Sequence, residues 1–119
     1  MKPKADATFQ PRFRVLRGKD IAMGPGKAEL LEQIGKSGSI AEAAAELGMS
    51  YMRAWTLIKT MERCFEQPLV TVSRGGAGHG GAQLTANGRR ALGLYRGMEA
   101  RSLSATATMR REMVKLLRR

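Results

Sequence analysis

The sequence has few of the side chains on which most catalytic and metal sites depend. It holds one cysteine, Cys64, and one histidine, His79. Neither has a catalytic partner placed near it in the sequence, and no metal-ligand spacing is present. A single thiol forms no internal disulfide, so we interpret Cys64 as a small apolar residue of the core. We therefore predict that the protein is not an enzyme, and its residues indicate no cofactor.

Long apolar runs are also absent. No stretch approaches the roughly 18 apolar residues that a membrane-spanning helix needs. The N-terminal residues 1–14 carry charges but lack the apolar segment of a secretory signal. We therefore predict a cytoplasmic protein with no membrane partner.

Acidic residues are few compared with basic ones. The chain has 21 lysines and arginines against 10 aspartates and glutamates, which gives a formal net charge of +11. Such a surplus attracts polyanions, and nucleic acid is the commonest such partner of a small basic protein. A basic surface that only keeps the protein soluble is the alternative. With 119 residues, 43% of them apolar, we expect a single domain with a modest core.

Caps and periodicity divide the middle of the chain into three short helices. The first follows the Gly-Pro-Gly turn at residues 24–26. Ser39, with Glu42 three residues later, forms a capping box that opens the second helix, and Gly48 ends it. Ser50 caps the third helix, which leaves a polar face free.

Strands flank these helices. Residues 13–23 predict one short extended strand, while residues 69–74 and 82–85 predict a two-strand hairpin. Thr85 caps a long helical region, with an interruption near residues 102–108. We therefore predict a mainly α fold: a winged helix-turn-helix with a short N-terminal strand, a two-strand glycine-tipped wing and a long C-terminal helical region.

The glycine-rich stretch at residues 76–81 fits the dinucleotide-binding pattern Gly-x-Gly-x-x-Gly when it is taken alone. A dinucleotide site needs a strand before the loop, a helix after it and a parallel sheet around it. This loop runs instead into a returning strand, so we interpret it as the tip of a wing that lies against the DNA backbone. A flexible hairpin tip without a binding role is the alternative.

The candidate DNA contacts lie on the free face of the third helix, at helix caps and on the wing. The major groove of B-DNA accommodates one α-helix, and an arginine there can pair with guanine through two hydrogen bonds, which makes Arg53 the leading candidate. We interpret Tyr51 and Trp55 as core residues. The residues predicted to bind DNA are Ser39, Ser50, Met52, Arg53, Thr56, Lys59, Thr60, Arg74, Gly76, Gly78, His79 and Gly80. For those on the helix, an ordinary solvated side chain is the alternative.

The start of the third helix and the wing together resemble one family. Residues 50–55, Ser-Tyr-Met-Arg-Ala-Trp, and residues 75–85, Gly-Gly-Ala-Gly-His-Gly-Gly-Ala-Gln-Leu-Thr, are similar to the N-terminal DNA-binding domain of the ModE molybdate-responsive transcription regulators. The LysR-type winged helices share the outline more loosely. The resemblance runs from about Leu30 to Arg96, and it implies a sequence-specific regulator that binds double-stranded DNA.

Two departures from that family bear on function. The family often has lysine at the positions of Met52 and Ala77, and the loss of both lysines would weaken phosphate contacts there, although Arg53 and His79 lie beside them. Its full-length members also carry a C-terminal pair of small β domains that bind molybdate, and we expect no counterpart within these 119 residues. Molybdate is therefore a ligand implied by the resemblance alone. A separate effector-binding protein remains open as a partner.

The resemblance also implies a symmetric homodimer formed by the first and last helices. Such a dimer would hold two recognition helices about 34 Å apart, one turn of DNA. The candidate interface residues are Ala91, Leu92, Tyr95, Met98, Met109, Met113 and Leu116. The alternative is that the first of these pack on their own core. We expect both, with the start of the helix packed inward and its extension paired.

These patterns predict three parts: a basic mobile arm at residues 1–12, the DNA-binding domain at 13–97, and a dimerising helical extension at 98–119. Two other functions stay open. One is a basic architectural protein that coats DNA without sequence preference, and the other is a direct oxyanion sensor that uses the dimer interface.

Overall fold

The computed structural model describes residues 7–73 and 81–118, and it has the predicted mainly α winged helix-turn-helix architecture. Over these residues the chain forms two antiparallel strand pairs, β1 with β2 and β3 with β4, and five helices. In chain order the elements are β1 (Val15–Arg17), β2 (Asp20–Met23), α1 (Pro25–Ser37), α2 (Ile40–Glu46), α3 (Tyr51–Cys64), β3 (Val70–Ser73), β4 (Gly81–Leu84), α4 (Ala86–Ala105) and α5 (Ala107–Leu116).

The predicted N-terminal strand is in fact a hairpin. Gly18 has a φ of +61°, a left-handed conformation that favours glycine, and the chain reverses there. Leu16 then pairs with Ile21 across the hairpin. The sequence signal was the Gly18-Lys19 pair in the middle of the run, since a glycine followed by a polar residue is a common two-residue turn.

The predicted N-caps form as expected. The side-chain oxygens of Ser39, Ser50 and Thr85 each accept a hydrogen bond from the backbone N–H three residues on, at 2.9 to 3.1 Å. Only one of the two hydrogen bonds of the predicted capping box forms at Ser39. The Ser39 hydroxyl accepts from the Glu42 N–H, but the Ser39 N–H donates to Ser37 Oγ at 3.2 Å and not to the Glu42 carboxylate. These caps fix the residues at which α2, α3 and α4 begin.

Two glycines make the turns around α2. Gly38 has a φ of +71° and Gly48 a φ of +68°, and both values would strain a residue with a β-carbon. Gly38 also connects the helices to the wing, because its carbonyl oxygen accepts a hydrogen bond from the Ala82 N–H at 2.9 Å. The turn before α2 and strand β4 are therefore joined directly.

One cluster of buried side chains holds the domain together. Its members come from β2, from each of the four helices α1 to α4, and from the wing strands. Ala43, Ala44 and Ala54 are fully buried between α2 and α3, where their small size lets the two helices pack closely. From α4, Tyr95 enters this core, and its hydroxyl donates to the Phe13 carbonyl oxygen at 2.8 Å.

The last helix lies outside this core. α4 ends as predicted within residues 102–108, where Thr106 Oγ1 donates to the Ser102 carbonyl oxygen at 2.7 Å. No residue of α5 is buried, and the molecule extends to 61 × 30 × 24 Å. Arg110 bridges the break, since its Nη2 donates to the Leu103 carbonyl oxygen at 2.6 Å and its guanidinium lies 5.4 Å from the centre of the Phe9 ring. The division into arm, domain and extension stays a prediction.

Candidate nucleic-acid interface

Helix α3 buries one face and leaves the other open to solvent. Ala54, Ile58 and Met61 are the buried positions, and their spacing follows one side of an α-helix. The exposed side begins at the first turn, where Met52 is 73% exposed and Arg53 lies beside it. An exposed helix face of this kind, on a helix that begins at an open N-terminus, is the part that a DNA groove can accept.

Two threonines on this face use their hydroxyl protons within the helix. Thr56 Oγ1 donates to the Met52 carbonyl oxygen, and Thr60 Oγ1 donates to the Thr56 carbonyl oxygen, both at 3.0 Å. A hydroxyl has one proton to donate. These two side chains can therefore contact another molecule through the lone pairs of the hydroxyl oxygen and through the methyl group, but not by donating a hydrogen bond.

The basic groups of the face differ in how they are paired. Arg53 has no side-chain hydrogen bond or ion pair with any described residue, so its guanidinium is free to meet DNA. Arg63 is held at the far end of the helix, where its Nη2 lies 3.4 Å from Asp20 Oδ1 and 3.3 Å from Thr60 Oγ1. Lys59 Nζ lies 3.5 Å from Glu62 Oε2. Both ion pairs are exposed and therefore weak, and a phosphate can replace them.

Two serine hydroxyls lie at helix N-termini. Ser50 is exposed at the start of α3 and Ser39 is half-buried at the start of α2. Each oxygen accepts the capping hydrogen bond and still has its own proton to donate. A phosphate oxygen can accept that proton while it also meets the positive end of the helix dipole.

The interpretation of Tyr51 as a core residue is wrong. Tyr51 is 49% exposed, while Trp55 is half-buried and packs against the core. Their rings meet edge to face with centres 6.2 Å apart. Periodicity put Tyr51 on the buried stripe, but Ala54 is the first residue of α3 that reaches the core. Lys59 Nζ lies 5.6 Å from the centre of the Trp55 ring, so the tryptophan also supports a cation.

A buried lysine behind α3 was missed by sequence reasoning. Lys27 of α1 is only 8% exposed, and none of the described residues forms a hydrogen bond or ion pair with its ammonium group. Burial lowers the pKa of Lys27, and the Cys64 thiol, Arg53, Asp20 and Arg63 are the neighbouring titratable groups that modify it. The signal that could have found it is its spacing of three, four and seven residues from Leu30, Leu31 and Ile34, which puts Lys27 on the buried face of α1.

The wing strands are in register for their whole described length. Val70 pairs with Leu84, and the pairing continues to Ser73 and Gly81. The predicted contacts at the tip of the wing lie outside the described residues: Arg74, Gly76, Gly78, His79 and Gly80. The Ala82–Gly38 hydrogen bond sets the strands against the turn before α2.

The predicted dimer residues fall into two groups. Ala91 and Leu92 are half-buried against the domain core, and Tyr95 is fully buried within it. The others are exposed in α4 and α5, and the most exposed is Leu116 at 82%. The exposed residues are Met98, Met109, Met113 and Leu116. The start of α4 therefore packs inward, and the exposed apolar groups lie beyond it.

Two further features concern the described part of the chain: possible metal ligands and membrane-spanning helices. Within residues 7–73 and 81–118, no group of three or more histidine, cysteine, aspartate or glutamate side chains could hold a metal ion. No helix in the same ranges has the length and apolar character to cross a membrane.

A model of a known protein family matches the middle of this chain. The family model of bacterial regulatory helix-turn-helix proteins, lysR family, matches residues 26–89, which is more than half of the chain. That match covers α1 to α3 and both wing strands.

Several curated proteins are similar to this chain. The molybdenum transport protein ModE of Azotobacter vinelandii is 42% identical over 97 residues, which cover 82% of this chain and 36% of the relative. The molybdenum-pterin-binding protein MopB of Rhodobacter capsulatus is 40% identical over 86 residues, covering 72% and 32%. The DNA-binding transcriptional dual regulator ModE of Escherichia coli K12 is 44% identical over 71 residues, covering 60% and 27%. The chain thus spans about a third of the length of these relatives.

Proposed function

Because this chain belongs to the family of bacterial regulatory helix-turn-helix proteins of the lysR type, and resembles the DNA-binding domain of ModE, we propose that it recognises a specific double-stranded DNA sequence as a homodimer. In this proposal α3 enters the major groove and the wing lies along the sugar-phosphate backbone. The observation that carries the proposal is the unpaired guanidinium of Arg53 on the open face of α3, next to the helix N-terminus.

The chemistry of that face fits a duplex. Arg53 offers two parallel donors that match O6 and N7 of guanine, which is the commonest specific contact in the major groove. Ser50 and Ser39 offer hydroxyl donors for phosphates at two helix N-termini. The net charge of +11 adds an attraction that depends on salt and not on sequence.

The homodimer is supported by helix α5. Its ten residues, Ala107–Leu116, include no buried side chain, and helices this short are marginal in water without tertiary contacts. Met109, Met113 and Leu116 are exposed along it. A second copy that covers these side chains would stabilise α5 and hold two α3 helices at a fixed separation on DNA.

The proposal of DNA binding does not include a response to molybdate. The relatives' names refer to molybdenum or to molybdenum-pterin, and this chain matches only about a third of each relative. We propose that the described residues supply DNA binding, and that any response to molybdate needs residues or a partner protein beyond them. Since the target is DNA, we expect the protein to act in the cytoplasm.

A fluorescence-polarisation titration tests the proposal. Labelled DNA from upstream of the gene itself and of nearby transport genes is compared with shuffled DNA at fixed salt, with and without molybdate. We expect one upstream fragment to bind roughly a thousandfold more tightly than shuffled DNA. Equal binding to both would instead favour an architectural protein, and a change caused by molybdate would favour a direct oxyanion sensor.

A matched pair of variants locates the contact. Arg53→Ala should weaken binding to the preferred fragment by roughly tenfold to a hundredfold, because the paired hydrogen bonds to guanine are lost. Arg101→Ala removes the same charge from an exposed position on α4 and should change the affinity little. If the two variants behave alike, Arg53 acts only through its charge.

A further inference from the structure

The open face of α3 is more apolar at its first two turns than its residue types suggest. Met52 is 73% exposed, the most exposed large apolar side chain of that helix. Thr56 lies one turn further along the same face, as residues four apart do in an α-helix. Because Thr56 Oγ1 donates to the Met52 carbonyl oxygen at 3.0 Å, its hydroxyl is turned toward the helix backbone and its methyl group is left to face outward.

These two side chains form a surface without a free donor. The Met52 side chain ends in a thioether and a methyl group, and the only side-chain proton that Thr56 can donate is used inside the helix. Arg53, beside them, has five donors and no described partner. The first two turns of α3 therefore combine one strong hydrogen-bonding group with an apolar strip.

In the major groove, the C5-methyl group of thymine is the apolar feature of the base edges, and side-chain methyl groups recognise it by contact. Four helix residues rise about 6 Å, at roughly 1.5 Å per residue. Two base-pair steps cover about 7 Å, at roughly 3.4 Å each. The apolar strip is thus long enough to meet thymine methyl groups on base pairs that are adjacent or one apart.

We propose that Met52 and Thr56 read thymine methyl groups in the major groove, beside a guanine that Arg53 reads. This inference rests on the proposed function and deepens it, because it names the bases that the helix selects. Met52 is then a specificity-determining residue, and the preferred half-site contains thymine within two base pairs of that guanine.

Deoxyuridine substitution tests this directly. The preferred site is first selected from a random duplex library with the full chain. Each thymidine in that site is then replaced singly by deoxyuridine, which removes the methyl group and keeps base pairing. We expect one or two positions to weaken binding by about fourfold each, the effect of exposing one buried methyl-sized group.

The variant Met52→Ala identifies the partner of that methyl group. It should weaken binding to the thymidine duplex and become insensitive to deoxyuridine at one of the sensitive positions. Thr56→Ser, which keeps the hydroxyl and removes only the methyl group, should do the same at a second position. Leu16→Ala removes a similarly exposed apolar side chain from the β1–β2 hairpin and should keep the wild-type deoxyuridine profile.

Met52→Lys is a further check, because it keeps a long exposed side chain while it replaces the apolar end by a donor. Its selected site should differ from the wild-type site at the position where Met52→Ala loses its sensitivity. Thermal unfolding of each variant verifies that the fold is retained, as expected for a side chain that is 73% exposed.

The outcomes separate this inference from the function on which it rests. If a specific site is selected but Met52→Ala keeps the wild-type sensitivity to deoxyuridine at every position, the thymine contact is wrong and the DNA-binding regulator stands. If the library yields no preferred site, both proposals fail together. Loss of sensitivity at one position, with the Leu16→Ala profile unchanged, supports the contact.

Discussion

The backbone carbonyl oxygen of Leu69 occupies the space that a β-carbon at Gly88 would need. The same oxygen accepts a hydrogen bond from the Thr85 N–H at 2.9 Å, and Thr85 Oγ1 donates to the Pro68 carbonyl oxygen at 2.7 Å. The start of α4 thus packs directly against the backbone of Pro68 and Leu69, which lead into β3. This contact is backbone against backbone, so neither side can move aside as a flexible side chain would.

The first prediction follows from that contact. Gly88→Ala should lower the free energy of unfolding by about 2 kcal/mol, since an added methyl group in a packed core forces the backbone to shift. Gly93→Ala is the matched control on the same helix, where an added β-carbon meets nothing within 4 Å. It should stabilise by about 0.5–1 kcal/mol, because alanine is the better helix former. Thermal or urea unfolding measures both, and equal effects would contradict the close approach at Gly88.

The cap of the recognition helix allows stability and binding to be separated. Ser50 Oγ accepts from the Arg53 N–H at 3.0 Å, so Ser50→Ala should cost about 1 kcal/mol of stability. Ser50→Asp keeps the cap and should restore that stability, but it adds a negative charge where a phosphate is expected. Unfolding and DNA titration are measured on both variants. If Ser50→Asp binds DNA as tightly as wild type, the N-terminus of α3 does not approach the backbone.

Stability should depend on the protonation of a buried phenol. Burial raises the pKa of Tyr95 above its usual value, and nearby Glu99 adds to the effect. The Tyr95 hydroxyl must keep its proton to donate to the Phe13 carbonyl oxygen at 2.8 Å. A group whose pKa is higher in the folded state contributes stability that is fully present below its unfolded pKa of about 10 and is lost as the pH rises through the folded pKa.

Two tyrosine variants test that dependence. We expect the free energy of unfolding of the wild type to fall as the pH rises above about 10, the usual pKa of a tyrosine, more steeply than that of Tyr95→Phe, which lacks the phenol. At neutral pH, Tyr95→Phe should cost about 1 kcal/mol for the lost hydrogen bond. Tyr51→Phe alters an exposed tyrosine and should keep the wild-type profile. Parallel profiles for wild type and Tyr95→Phe would contradict the role of the buried hydroxyl.

The proposed dimer predicts that a charge on the exposed face of α5 weakens self-association. Met113→Glu puts a charge on the exposed apolar face of α5, so it should shift the protein toward monomer in analytical ultracentrifugation. Ala45→Glu adds the same charge at an exposed position on α2 and should leave the association constant unchanged. A wild-type chain that is monomeric at every concentration tested would remove the basis of this interface.

Local signals made much of this fold predictable from the sequence. The caps at Ser39, Ser50 and Thr85 and the glycine turn at Gly48 each depend on one or two residues whose conformational needs are strong. The break after α4 lies within residues 102–108, where the interruption was predicted. These features need no knowledge of what lies elsewhere in the chain.

Other features of the structure were not predicted from the sequence. Periodicity gave Tyr51 the correct side of α3, but it could not show that the core ends one turn short of it. Lys27 is buried because it shares the face of α1 that carries Leu30, Leu31 and Ile34, so its spacing, and not its residue type, indicated the burial. The loose alternation over residues 13–23 concealed the turn at Gly18. For Tyr51 the extent of the core in the folded structure decided the outcome, whereas the turn at Gly18 and the burial of Lys27 each had a local signal in the sequence.

The hydrogen bond between Ala82 and Gly38 has a consequence for how such proteins can vary. It ties the wing to the scaffold that carries the recognition helix at Ala82, which pairs with Val72, so that of the described pairs only Ser73–Gly81 lies beyond this anchor. A change of length between Ser73 and Gly81 would therefore act one residue pair away from the anchor. The same hydrogen bond holds the turn before α2, so such a change would bear on the geometry that aims α3.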